Sequence, residues 1–291
     1  MKKSLDDIIF DTLTYIILAI ISLVMLYPFM NVLAVSLSDY EGYLTNPMMI
    51  FPVNFTLSAI KEVFANDLII SSYGNTIFVT LTGVVIDLFL IIITAYPLSK
   101  QGFRGKQFFM WIIIFTMLFN GGLIPNFYLI KSLRLFDTHW AIILPRLMSA
   151  FNIILLKNFF ENMPTELEES AKIDGATEIQ ILWKIILPLS KTILATLSLF
   201  IAVSFWNCFF EAIMYIRETK LWTLQLVLRE IIISSNTEVL QATGNLAERG
   251  VTTSTSLKYA TLIVAIVPII SIYPFLQRYF VKGVMVGAVK G

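Results

Sequence analysis

Six stretches of this 291-residue chain, 13–37, 76–98, 108–130, 140–160, 191–216 and 257–280, are apolar over about 20 residues or more. A helix rising 1.5 Å per residue needs roughly 20 such residues to cross the hydrocarbon layer of a bilayer. Backbone groups in hydrocarbon find no water, so an isolated spanning stretch must be a helix that satisfies its own hydrogen bonds. With 57% hydrophobic and 14% charged residues and a mean hydropathy of +0.79, the chain is too apolar for a soluble domain. The expected fold class is all-α: a six-helix membrane bundle, one transmembrane domain over 1–291. Glycine or proline interrupts the third, fourth and sixth stretches.

Lys2 and Lys3 precede the first stretch, as in a signal peptide. That stretch is too long for one and no small-x-small cleavage site follows, so it is expected to remain as a membrane helix. With the amino terminus inside, Lys100, Arg104 and Lys106, then Lys157, Lys172, Lys184 and Lys191, then Arg278, Lys282 and Lys290 fall on the cytoplasmic side. Of the other nine of the 21 basic residues, Arg146 and Lys258 fall within apolar stretches and seven in outer segments, so the bias is modest but consistent with both termini being cytoplasmic. Cys208 has no second cysteine to pair with and His139 no second histidine to share a metal. No phosphate-binding loop, nucleophile elbow or zinc-binding helix signature occurs, so any use of ATP requires another subunit.

Between the fourth and fifth stretches, residues 161–190 read ENMPTELEESAKIDGATEIQILWKIILPLS, a charged segment with the punctuation of two short helices. Thr165 and Glu168 have capping-box spacing, Gly175 is the residue type that ends a helix in the left-handed conformation, and Thr177 with Gln180 opens a second helix. Ile179, Leu182, Ile185 and Ile186 recur at helical spacing up to Leu187-Pro188, where proline is expected to stop the helix. Glu166, Glu168, Glu169 and Asp174 form an acidic face, fit to meet a basic rim. The segment predicts a stiff knob, bent at Gly175, at one end of the bundle.

Glu169-Ser170-Ala171, Gly175 and, after nine residues, Ile185-Ile186-Leu187-Pro188 resemble the E-A-A-x-x-x-G-(x9)-I-x-L-P loop of membrane permease subunits of ABC importers. Ser170 is the single departure. In that family the loop is a coupling helix that docks on an ATPase, which implies coupling roles for Glu168, Glu169, Ala171, Asp174, Gly175, Thr177, Leu187 and Pro188. Residues 119–138, 204–216, 221–232 and 279–291 look like the carbohydrate-uptake branch, and within it the group that imports polysaccharide fragments. The resemblance implies a type I importer bundle without catalytic residues in the bacterial plasma membrane. Its implied partners are a homologous second permease, an ATPase dimer carrying the ATP and magnesium, and an extracellular sugar-binding protein. The chain itself would bind no cofactor and would move an oligosaccharide by alternating access.

In the fifth stretch Ser204, Asn207 and Glu211 follow one another at i, i+3 and i+7 among Phe205, Trp206, Phe209 and Phe210. Hydroxyl-binding groups beside aromatic faces suit a sugar path, with Asn207 and Glu211 on hydroxyls, Trp206 as a platform and Phe210 beside them on the path; the alternative is helix–helix glue with lipid-facing aromatics. Asp87 and Arg146 lie in apolar stretches and must face protein or water. A mutual ion pair accounts for both; otherwise Arg146, just after Pro145, meets an acidic sugar such as a uronate in an outer cavity. Asn120-Gly121-Gly122 with Pro125 breaks the third stretch, as a re-entrant segment near the path or as a plain helix end. One of the outer segments 38–75 and 217–256 is expected to contact the binding protein, and the 279–291 tail to touch the ATPase or to anchor the last span.

Other readings are an importer for a peptide, phosphate or polyamine, or a stand-alone channel or secondary transporter. The sequence has no evident internal repeat and few intramembrane charges, which weighs against the latter. An acidic first helix between membrane spans speaks against nucleic-acid binding.

Overall fold

The structure, a computed structural model, describes residues 5–241, 256–271 and 274. Expectations for Arg278, Lys282 and Lys290, for the 279–291 tail, for most of the sixth stretch beyond 271 and for 242–255 of the second outer segment lie outside the described residues. What is described is helical, apart from one isolated bridge between Ser38 and Phe55. Contacts divide it into two compact units.

The first unit is led by the helix Leu5–Ser36, which runs several residues ahead of the apolar window starting at 13. Its apolar residues are distributed around the whole circumference, and none of its membrane-length window is buried. Such a surface is stable only against lipid or another apolar helix. At its carboxyl end Asn31 donates to the carbonyls of Pro47 and Met49 at 3.0 and 2.9 Å, folding the following segment back. Ser38 adds a second tie, donating to Ala34 O at 2.6 Å and accepting from Val53 N at 3.0 Å.

The second unit holds most of the helix Asp67–Ser99 and the residues up to Val227. That helix begins well before the apolar window at Thr76, because Ser71, Ser72 and Asn75 are polar but compatible with helix. Its core is built of Ile91, Ile142, Ile143, Leu156, Ile181, Ile186, Leu197 and Phe205, each at most 1% exposed. A Cβ added to Gly83 would lie 2.5 Å from Phe205 Cε2, so glycine is what lets the Phe205 ring lie against this helix.

Three helix pairs are sharply bent, in the third stretch, in the fourth and where Glu178–Leu189 meets Lys191–Trp206. The third stretch turns by 113° between Lys106–Leu118 and Leu123–Ser132, where glycine and proline predicted a break. The fourth turns by 49° between Trp140–Arg146 and Ala150–Glu161. The fifth, expected as one helix over 191–216, stops at Trp206 and resumes as the short helix Phe210–Tyr215. Neither glycine nor proline lies there. Asn207 ends the helix with its own side chain, Nδ2 donating to Val203 O at 2.9 Å, and Thr223 Oγ1 donates to the freed Cys208 carbonyl at 3.1 Å.

Candidate functional site

The hairpin is bent at Gly175, with φ of +81°. Ala176 N donates to Ala171 O at 2.9 Å and Gly175 N to Lys172 O at 3.0 Å, the paired bonds of a Schellman motif that close the helix Glu166–Ile173. Thr177 and Gln180 form the predicted capping box. Thr165 and Glu168 do not: Thr165 has helical dihedrals and no side-chain cap, and the Glu168 carboxylate pairs with the Lys100 ammonium instead of reaching back to Thr165 N. The second helix takes in Pro188 and ends one residue past it, at Leu189. A π turn over Leu182–Ile186 widens the ladder ahead of the ring and removes its clash with the preceding turn. The helical run continues to Leu189 and bends by 81° into Lys191–Trp206.

One side of the hairpin is part of the bundle core, through Ala171, Ile181, Leu182 and Ile186, with Leu187 half-buried beside them. The other side is open, with Ile173 87% and Ile179 71% exposed. Charged contacts fasten the hairpin to the end of the 67–99 helix. Lys100 pairs with Glu168 and lies 4.1 Å over the Tyr96 ring; Tyr96 donates to Glu178 Oε2 at 3.0 Å; Lys172 pairs with Glu178 Oε1 at 2.7 Å. The hydrogen bond from Lys172 holds the Glu178 carboxyl below the usual range, and the same bond raises Lys172. Glu161 is likewise held low by hydrogen bonds from Lys106, at 2.8 Å, and Lys157. A cleft of about 700 Å³ is lined jointly by the hairpin and by residues 93–103. Of the expected acidic face, Glu168 is committed internally; Glu166, Glu169 and Asp174 stay exposed and form no ion pair among the described residues. Nothing in the spacing pointed to Tyr96, Lys100 and Glu178 as the fastening groups, since they are brought together over about 70–80 residues by the fold.

The intramembrane charges are not paired with each other. Asp87 Oδ1 accepts from Met148 N at 2.6 Å, and Met148 carries φ of +61° at the break of the fourth stretch. Arg146 bridges the break of the fifth, donating to Glu211 Oε1 at 2.5 Å beyond it and to Ser204 O and Oγ at 3.0 and 2.6 Å before it. The continuous polar stripe is therefore split: Ser204 and Glu211 meet at Arg146, while Asn207 accepts from Gln225 Nε2 at 3.2 Å. Trp206 is no open platform. It is 7% exposed, edge-on to Tyr73 with 6.3 Å between centroids. Phe210 is exposed, and Asn120 accepts from Gly122 N at 2.8 Å at the bend of the third stretch.

A helical membrane body with charge-stitched breaks in its spans and a half-sunk hairpin with an exposed apolar and acidic side has the make-up of a membrane transport component. Residues 88–286 match the family of binding-protein-dependent transport system inner membrane components, and the chain belongs to that family. It is 42% identical over 283 residues to Protein LplC of Bacillus subtilis (strain 168), covering 97% of this chain and 95% of that one. It is 41% identical to the polygalacturonan/rhamnogalacturonan transport system permease protein YtcP of the same organism, covering 97% and 99%. Among solved structures, a chain of a bacterial ABC transporter involved in the import of the acidic polysaccharide alginate superposes with a TM-score of 0.86 at 36% identity, covering 96% of this chain and 99% of that one.

Proposed function

We propose that the chain is one membrane subunit of an ATP-driven oligosaccharide importer in the bacterial plasma membrane, working with a second, homologous permease, an ATPase dimer and an extracellular sugar-binding protein. The observation that carries the reading is the hairpin. Its inner face is continuous with the bundle core, and its tip presents Ile173 and Ile179 beside Glu166, Glu169 and Asp174. Ala171, Gly175, Thr177, Leu187 and Pro188 fix the hairpin's shape, Glu168 fastens it to the bundle, and Glu169 and Asp174 face the ATPase. An apolar tip rimmed by carboxylates suits a basic-rimmed apolar groove, so that closure of the ATPase dimer is passed on as a rigid push on the membrane helices. ATP and magnesium belong to the ATPase, and the amino terminus faces the cytoplasm.

The carbohydrate substrate is supported by the named cargo of the similar proteins, polygalacturonan or rhamnogalacturonan for one and alginate for another. The test is purification of the chain from native membranes in mild detergent, as wild type and as Gly175→Pro, with mass spectrometry of what remains bound. Recovery of a second permease and an ATPase, with the ATPase lost from the variant, supports the reading. Recovery of the chain alone overturns it, and recovery of the same partners with both forms overturns the docking role of the hairpin while leaving the importer.

A further inference from the structure

Beside the two charge-stitched breaks lies a cavity of about 280 Å³, bounded among others by Asp87, Arg146, Asn152, Phe200 and Ser204. This is near the lower edge of the roughly 300–1,000 Å³ of small-molecule pockets, room for about one sugar ring. Ionisable groups at this depth are stable only against protein or water, so the polar mouth belongs to the aqueous side of the bundle and not to lipid.

Two groups lining it have hydrogen-bonding atoms without a protein partner among the described residues. Asn152 is only 8% exposed, and its amide has no hydrogen-bond partner among the described residues. Asp87 is 2% exposed and spends one carboxylate oxygen on Met148 N, leaving Oδ2 without a partner among the described residues. Neither group is sealed from solvent, unlike Arg146 Nε and Glu211 Oε2 nearby; the amide and the carboxylate oxygen line the cavity, where the hydroxyl groups of a ligand can take the place of water. Phe151 and Phe200, both substantially exposed, offer apolar walls for the C–H face of a ring.

The charges argue against an anionic ligand group at this place. Arg146 is already engaged by Glu211 and Ser204, and Asp87 adds a second carboxylate. A third would meet two like charges against one cation. We infer that the Asp87–Asn152 cavity is a ring-sized subsite on the translocation path that holds the neutral hydroxyl face of a pyranose unit, and that Arg146 is a clamp across the broken fifth span and not a reader of sugar carboxylates. The inference rests on the saccharide reading above. An acidic oligosaccharide would pass with its carboxylates turned away from this cluster.

The test uses the importer of both permeases and the ATPase in nanodiscs, without the binding protein, so that upstream selection does not enter. Trigalacturonate and the same trimer with its carboxyls reduced to alcohols are titrated calorimetrically onto wild type, Asn152→Leu, Asn152→Ala and the paired Arg146→Gln, Glu211→Gln variant, with the yield of monodisperse complex as the folding control. The expected result is similar affinity for both trimers in wild type, about tenfold weaker binding of both in the Asn152 variants, the size of one lost buried hydrogen-bonded contact, and no change in the acidic-to-neutral ratio in the paired variant. A wild-type preference for the acidic trimer that disappears in the paired variant overturns the assignment, as does unaltered binding in well-assembled Asn152 variants. If wild type binds neither trimer while cells still import oligosaccharides, the subsite falls and the importer reading stands. If cells import no saccharide through this system, the importer reading falls with it.

Discussion

Replacing Gly175 by alanine isolates the bend of the hairpin from everything around it. The glycine has φ of +81°, and a Cβ built there meets nothing within 4 Å, so the substitution adds no clash. What remains is the cost of placing an L side chain in the left-handed region, about 1–2 kcal/mol, or about a 5- to 30-fold loss of the bent form. The bonds from Ala176 N to Ala171 O and from Gly175 N to Lys172 O exist only in that form. The ATPase, titrated onto the permease pair in nanodiscs, should therefore bind Gly175→Ala about 5- to 30-fold more weakly than wild type. Gly175→Asn adds a larger side chain but tolerates the left-handed region, so it should recover most of the loss. Binding by Gly175→Ala within twofold of wild type, or equal losses for alanine and asparagine, would refute the argument that backbone conformation sets the docking geometry.

Arg146→Gln alone should lower the thermal stability of the complex by about 3–5 kcal/mol, since it strands the Glu211 carboxylate, and adding Glu211→Gln should restore most of it; coincident melting of single and double variants would contradict the clamp. A double-mutant cycle of Lys100→Met with Glu168→Gln, read by ATPase retention, should give a coupling of about 0.5–3 kcal/mol, and strict additivity would show that this pair does not fasten the hairpin. Gly83→Ala should destabilise by about 1–3 kcal/mol because its Cβ would sit 2.5 Å from the Phe205 ring, and Phe205→Leu in the same chain should relieve part of that, measured by thermal melting. Glu178 and Glu161 have lowered carboxyl pKa values, so the stability they contribute is present above the ordinary carboxylate range and is lost as pH falls through the lowered folded values. ATPase retention should thus stay flat from neutral pH down to about 5 and fall below about 4; a loss centred near pH 6–7 would point to a different titrating group.

Features that depend on neighbours in sequence were legible. Apolar length gave the helical membrane class, because a backbone in hydrocarbon has no other partner for its hydrogen bonds. Gly175 and the Thr177–Gln180 box were readable for the same local reason: the left-handed turn and the cap are satisfied within a few residues. Asn120-Gly121-Gly122 announced the bend of the third stretch.

Where competition over long sequence separation decides, the local signal misled. Glu168 has the spacing of a cap, yet a lysine 68 positions earlier in the chain holds its carboxylate. Pro188 marks the helix end to within one residue, but a π turn that the sequence did not announce makes room for its ring. Asp87 and Arg146 look like partners for each other, and each instead satisfies backbone at a break in another helix, 61 and 58 residues away. The fifth span breaks without glycine or proline because Asn207 caps it from within and Arg146 and Thr223 take up the polar groups the break exposes. Helix, turn and membrane class are set by energies that act within a turn or two. The pairing of buried charges and freed carbonyls is set by which groups the packed bundle leaves without water, and that exists only once the helices have met.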